Sequence, residues 1–350
     1  MTDSQSFEFF IQWHLTERCN LRCRHCYQLG ERMKEMTLGE ITGVVGDISD
    51  LIESWSDAYD ITFAPSVNVT GGEPFLRHDL LQVLEVIGRR GFDLYVLSNG
   101  ILIDRGRAQD LSRCAVKGVQ VSLEGPEPIH DMIRGKGAFT GALKGVEFLI
   151  DAGLKVTLNV TLSALNADYV TDIVQVASAV GVQRLGFSRL VPSGRASGLA
   201  DSALSPARVK ETYQTIFSLA VTGVEIVTGD PVASQLKSPR GEGEDDSLLK
   251  GGCAAGFSGL TFLPDGTITP CRRMGIPIGN VLRDSLREVW ATSPILEALR
   301  TRDAYKGKCR GCRRWSVCRG CRAIAYAYSV SRGENDFLAE DPQCPVDDIS

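Results

Sequence analysis

The segment Thr16-Glu17-Arg18-Cys19-Asn20-Leu21-Arg22-Cys23-Arg24-His25-Cys26-Tyr27 constrains this chain more than any other. Its C-x3-C-x2-C spacing gathers three thiolates on one short loop, directly after the extended apolar stretch 7–15. A cubane 4Fe–4S cluster is usually held by four cysteines. Three close ones leave one iron open to a small chelating ligand. The competing assignments are three buried thiols or a zinc knuckle. Zinc sites close their shell with a fourth Cys or His, and His25 is available for that. The triplet alone leaves these open.

The other cysteines narrow the choice. The chain has eleven, with Cys114 standing alone and seven between 253 and 344. Its start is polar and acidic, without the charged and apolar regions of a secretion signal, and no apolar run reaches membrane-spanning length. The expected compartment is the cytoplasm, where clustered cysteines indicate metal or redox chemistry rather than disulfides. A length of 350 residues suits one large and one small domain. The net charge of −5 leaves no footprint for nucleic acid or an anionic membrane. Cys114 reads as a small apolar core residue.

Up to about residue 195, short apolar strands alternate with amphipathic helical stretches. The strands are expected at 7–15, 66–70, 94–98, 118–123, 156–162 and 184–190, with helices such as 80–90 and 141–152 between them. This alternation predicts a parallel α/β arrangement. Motifs at the strand ends favour a partial (β/α)6 barrel of TIM type over a doubly wound sheet, because barrel sites gather at the C-terminal ends of strands. The expected domains are a barrel over 1–200, a connector over 201–252 and a cysteine-rich iron–sulfur domain over 253–350. Within the connector, 205–221 reads as a helix with Pro206 in its first turn. The Gly-rich acidic stretch 238–247 reads as a solvated linker, with a lid as the alternative.

The triplet, with Gly71-Gly72-Glu73-Pro74 closing the second strand, resembles the radical S-adenosylmethionine (radical SAM) superfamily. The resemblance implies that Cys19, Cys23 and Cys26 bind a 4Fe–4S cluster whose open iron takes the amino and carboxylate groups of SAM. It further implies that Gly71, Gly72 and Glu73 meet the SAM amino group. Ser98 and Asn99 would face the ribose, Ser122 and Arg134 the carboxylate, and His25 with Tyr27 the adenine. Glu124 stands where many relatives have Asp, and is the candidate base.

The later cysteines, Cys253, Cys271, Cys309, Cys312, Cys318, Cys321 and Cys344, resemble the SPASM extension of the same superfamily. That resemblance implies two auxiliary clusters. Cys253, Cys271 and Cys321 would hold the inner one, and Cys309, Cys312, Cys318 and Cys344 the outer one. Relatives with full ligation have another cysteine soon after the first, but here the stretch reads Ala254-Ala255-Gly256-Phe257-Ser258-Gly259, so the inner fourth ligand is unassigned. The gap between Cys318 and Cys321 is also one residue shorter than usual. Residues 300–322 hold nine basic side chains against one acid, Asp303. Such cations offset the negative charge of a thiolate-bound cluster. A basic patch beside Trp315 also suits nucleic acid, but the interleaved cysteines favour metal.

The expected activity is reductive cleavage of SAM to a 5′-deoxyadenosyl radical, with an electron donor such as flavodoxin or ferredoxin. The first-ranked substrate is a peptide or protein, with a separate recognition protein as a further partner. The alternative is a tetrapyrrole side chain in haem or haem d1 synthesis, followed by a small carbohydrate or alcohol. A non-enzymatic electron carrier is the contrasting class, and the SAM-pocket residues argue against it.

Overall fold

A computed structural model of the chain describes residues 6–30, 33–219, 223–237 and 251–346. Strands β1 (Ser6–His14), β2 (Thr62–Thr70), β3 (Asp93–Ser98), β4 (Gly118–Ser122), β5 (Val156–Leu162), β6 (Arg184–Arg189) and β7 (Glu225–Thr228) follow one another in a parallel sheet. The first six match the strands expected from sequence. Their inward side chains, among them Trp13, Val69, Val96, Val121 and Leu158, are fully buried. Helices return the chain between strands, and the longest, Leu38–Tyr59, starts at a capping box in which Thr37 and Glu40 satisfy each other's backbone amides.

The sheet does not stop at the expected domain boundaries. β7 lies inside the expected connector and pairs with β6. At the other edge, β8 (Gly259–Phe262) pairs parallel with β1, and β9 (Thr267–Thr269) and β10 (Gly279–Asn280) continue antiparallel. The connector and the cysteine-rich part therefore each add strands to the barrel sheet, which covers edges that would otherwise invite pairing with another chain. Gly259 permits this docking, because a Cβ there would press into the Phe10 carbonyl. β7 is four residues long and only half buried, too weak a pattern to stand out in sequence.

The helix expected over 205–221 is found at Pro206–Ser218, with Ser205 capping it and Pro206 in its first turn. The stretch 238–247 lies outside the described residues. No helix among the described residues is long and apolar enough to cross a membrane.

One buried ion cluster ties the three parts together. Arg189, at the end of β6, bonds Asp230 at 2.6 Å and Asp341 at 2.8 Å, and Gln343 at 2.9 Å. The Tyr213 hydroxyl donates to the same Asp230 at 2.9 Å. Asp341 in turn accepts the Cys321 amide at 2.9 Å, which carries the link to the C-terminal cysteines.

Candidate active site

The site sits at the C-terminal ends of the parallel strands, where the cysteine loop leaves β1. Gly71 and Gly72 are required by that loop. Gly71 has φ +155°, and a Cβ on either residue would collide with the backbone of Thr16 to Arg18. Instead, the Gly72 amide donates to the Thr16 carbonyl at 2.7 Å and the Glu73 amide to Arg18 at 2.8 Å. The paired glycines thus clamp the cysteine loop against β2, in addition to lining the cavity.

One cavity is walled by the cysteine triplet, His25, Tyr27, Gly71, Gly72, Ser98, Asn99, Ser122 and Arg134. All of these are residues that the resemblance assigns to SAM or to the cluster. Two other assigned residues are absent from its wall, Glu73 and Glu124, and both are fully buried.

Glu73 joins two strand ends. Its carboxylate accepts from the Ser98 hydroxyl and the Asn99 amide, both at 2.9 Å. Burial pushes its carboxyl up to about 7, against the opposing pull of these donors. Its side chain shapes the Ser98-Asn99 turn and does not reach into the cavity.

Glu124 corrects the sequence reading more sharply. One oxygen accepts from Arg134 at 2.6 and 2.9 Å and lies 2.9 Å from His25 Nε2. The other accepts the Thr161 amide at 2.9 Å. Burial favours its neutral form, but the charges of His25 and Arg134 outweigh that and hold the carboxyl down at about 2. A carboxylate with both oxygens engaged, no exposure and so low an affinity for protons is an anchor, not a base. Arg134 therefore spends two of its nitrogens on Glu124, while its third, Nη1, lies 3.9 Å from Cys23 Sγ.

Sequence reasoning missed Arg195, Arg272 and Gln28, which also line the cavity. Arg272 lies over the Tyr27 ring at 5.6 Å, and Arg195 Nε donates to the Cys23 carbonyl at 3.3 Å. The position of Arg272 next to Cys271 was the available signal. Gln28 reaches Glu17 at 3.0 Å, and the Tyr27 hydroxyl lies 3.4 Å from buried His14.

No disulfide joins any of the eleven cysteines. Burial drives the thiol of Cys19 up to about 11, that of Cys344 to about 11 and that of Cys321 to about 12. Cysteines grouped and buried in this way suit a bound metal centre, whose binding takes their protons. Cys309, Cys312, Cys318 and Cys344 surround one enclosed cavity, in which the Arg314 and Gly320 amides and Arg322 already donate to sulfur. Arg273, buried, interacts with both Cys271 and Cys321. No three His, Cys, Asp or Glu side chains among the described residues meet closely enough to hold a single ion. A cubane distributes its ligands over four irons rather than gathering them on one.

Geometry of this kind, a parallel α/β barrel with a three-cysteine loop at its mouth and a second cysteine array packed on its edge, defines a SAM-dependent radical enzyme. The family model of the radical SAM superfamily matches residues 13–177, and that of the SPASM iron–sulfur cluster-binding domain matches 253–313. The AdoMet-dependent heme synthase of Nitratidesulfovibrio vulgaris is 30% identical over 348 residues, covering 95% of this chain and 91% of that protein. The mycofactocin maturase MftC of Mycolicibacterium smegmatis is 29% identical, covering 95% and 82%. In fold, the chain resembles Streptococcus suis SuiB bound to S-adenosylmethionine, with a TM-score of 0.75 at 16% identity, covering 97% of this chain and 78% of that one. The chain belongs to the radical SAM superfamily and carries a SPASM domain.

Proposed function

We propose that this enzyme takes a hydrogen atom from a carbon of a carboxylate-bearing side chain, with a tetrapyrrole propionate as the substrate group. The observation that carries this is the pair of guanidinium groups, Arg195 and Arg272, lining the same cavity as the triplet. Guanidinium groups suit carboxylates through bidentate hydrogen bonding. Similarity along 95% of the chain to AdoMet-dependent heme synthases from several organisms supports the same assignment. It moves the tetrapyrrole ahead of the peptide favoured on sequence grounds. The peptide remains the second reading, supported by similarity to MftC and to PqqA peptide cyclases.

Cys19, Cys23 and Cys26 would hold a 4Fe–4S cluster with SAM at its open iron. That group supplies, on reduction by a donor such as flavodoxin or ferredoxin, a 5′-deoxyadenosyl radical able to attack an unreactive C–H bond. The chain's own residues then bind and orient. Ser122 and the cavity-facing part of Arg134 would meet the SAM carboxylate, with Glu124 holding the guanidinium plane still. Ser98 and Asn99, fixed by Glu73, would meet the ribose, and His25 and Tyr27 would flank the adenine. Arg195 and Arg272 would fix the substrate carboxylate, and the barrel wall would exclude water from the radical. Cys309, Cys312, Cys318 and Cys344 would hold an outer auxiliary cluster. Cys253, Cys271 and Cys321 would hold an inner one.

The test mixes anaerobic, reduced, iron-loaded enzyme and unlabelled SAM with either a tetrapyrrole deuterated on its propionates or a deuterated peptide fraction. Deuterium in 5′-deoxyadenosine from the tetrapyrrole is expected. Deuterium from peptides alone would replace this reading with the second one.

A further inference from the structure

The cavity bounded by Cys309, Cys312, Cys318 and Cys344 has a fifth wall that no ligation scheme accounts for. Trp315 lines it. Its ring is fixed edge-on against Phe257 and Tyr305, with centroids 5.9 and 5.7 Å away, and the Arg319 guanidinium lies 5.6 Å from its centre. Its indole Nε1 is sealed from solvent and has no acceptor among the described residues. An indole N–H donates only, so leaving it buried and unmet is unfavourable. Three neighbouring donors are turned to sulfur. Arg322 reaches Cys309 at 3.5 Å, the Arg314 amide reaches Cys312 at 3.4 Å, and the Gly320 amide reaches Cys318 at 3.2 Å. The Gln235 side chain also bonds Cys318.

We propose that Trp315 donates its indole hydrogen to a sulfur of the outer cluster and thereby sets that cluster's reduction potential. This rests on the four-cysteine cluster assigned above. The physical reason is charge. Reduction adds an electron to an already anionic cluster, and each N–H aimed at its sulfur stabilises the reduced form more than the oxidised one. Trp315 is the donor whose removal changes this with least disturbance, because phenylalanine keeps an aromatic ring in the same packing and lacks only the N–H.

The experiment uses full-length, iron-loaded protein with Cys19, Cys23 and Cys26 replaced by Ala, so that only the C-terminal clusters remain paramagnetic on reduction. Tryptophan is labelled with nitrogen-15 in its indole and the reduced protein examined by pulsed EPR. A nitrogen-15 coupling to a cluster signal that disappears in the C344A variant is expected. Trp315→Phe should abolish the coupling and move that cluster's midpoint potential to a more negative value at unchanged iron content. Should Trp315→Phe fold poorly, the coupling in protein that retains Trp315 decides the matter. A Cys344-dependent signal without the coupling overturns the role of Trp315 and leaves the cluster assignment standing. Absence of any Cys344-dependent signal overturns the cluster assignment and the role of Trp315 together.

Discussion

Arg134 and Glu124 are joined by two nitrogen contacts to one carboxylate oxygen, the shorter 2.6 Å, with Glu124 fully buried and Arg134 at the cavity wall. The pair converts a flexible cation into a fixed one, and in doing so removes Glu124 from any part in proton transfer. Removing one partner of a buried pair leaves an uncompensated charge, at a cost of about 3 kcal/mol. Glu124→Ala should lose stability by that order, read from the urea midpoint under anaerobic conditions, and should weaken SAM binding about tenfold. Because Glu124 is held down at about 2, its stabilisation is fully present at neutral pH and is lost only as the pH falls from its ordinary range through about 2. The rate of SAM cleavage should therefore show no limb from this group between pH 6 and pH 9, a range in which a carboxylate of such low affinity stays ionised.

Glu73 should behave in the opposite sense. Its carboxyl is raised to about 7, so the folded state holds a proton that the unfolded chain releases near its ordinary value. Its contribution is present below that ordinary value and declines as the pH rises through about 7. Glu73→Gln places an amide donor against the Asn99 amide or the Ser98 hydroxyl and costs stability. That cost should be largest at pH 5 and smaller at pH 8, a window spanning the raised value of about 7. Denaturation midpoints of both proteins at the two pH values check this. A cost that grows with pH would contradict it.

Replacing Cys19, Cys23 and Cys26 together with Ala should abolish 5′-deoxyadenosine formation while the C-terminal iron remains. Iron analysis and product detection on one preparation are sufficient. Continued SAM cleavage would place the active cluster elsewhere.

If Cys344 shares the proposed outer cluster, Cys344→Ala should lower the iron content and the melting temperature of the C-terminal part, since metal binding of that kind contributes directly to folding. Unchanged iron content would reject the grouping of Cys344 with Cys309, Cys312 and Cys318.

Arg189 bonds Asp230 and Asp341 in a region closed to water. Arg189→Met should cost about 3–5 kcal/mol, because two buried carboxylates lose the guanidinium that pairs with both. The further replacement of Asp230 and Asp341 by Asn and Leu should recover part of that loss in the same unfolding assay.

The barrel was legible because its six strands are short apolar runs with turns at both ends, and hydrophobic periodicity is a local property. The cysteine loop and the Gly71-Gly72 pair were legible for a similar reason, since each is contiguous. The purpose of the glycines was only half legible. A cofactor can demand close backbone approach, but here the backbone of Thr16 to Arg18 demands it first. Glu124 was misread because its neighbours in sequence say nothing of His25, ninety-nine positions away. Its position in the Ser122-Leu123-Glu124-Gly125 turn marks a strand end, and a strand end can face the cavity or the wall behind it.

The sequence by itself determined the chemistry available to this protein: three thiolates on one loop, a second cysteine array, and parallel strands whose ends converge on them. Local spacing suffices for that, because ligand geometry and strand periodicity are set over a few residues. Tertiary structure alone decided which groups stand free at the site. It buried Glu73 and Glu124 as anchors, brought Arg195 and Arg272 into the cavity, and joined β8 to β1 across more than two hundred residues. Those outcomes depend on packing between distant segments, where burial and charge pairing, not neighbours in the chain, determine what a side chain can do.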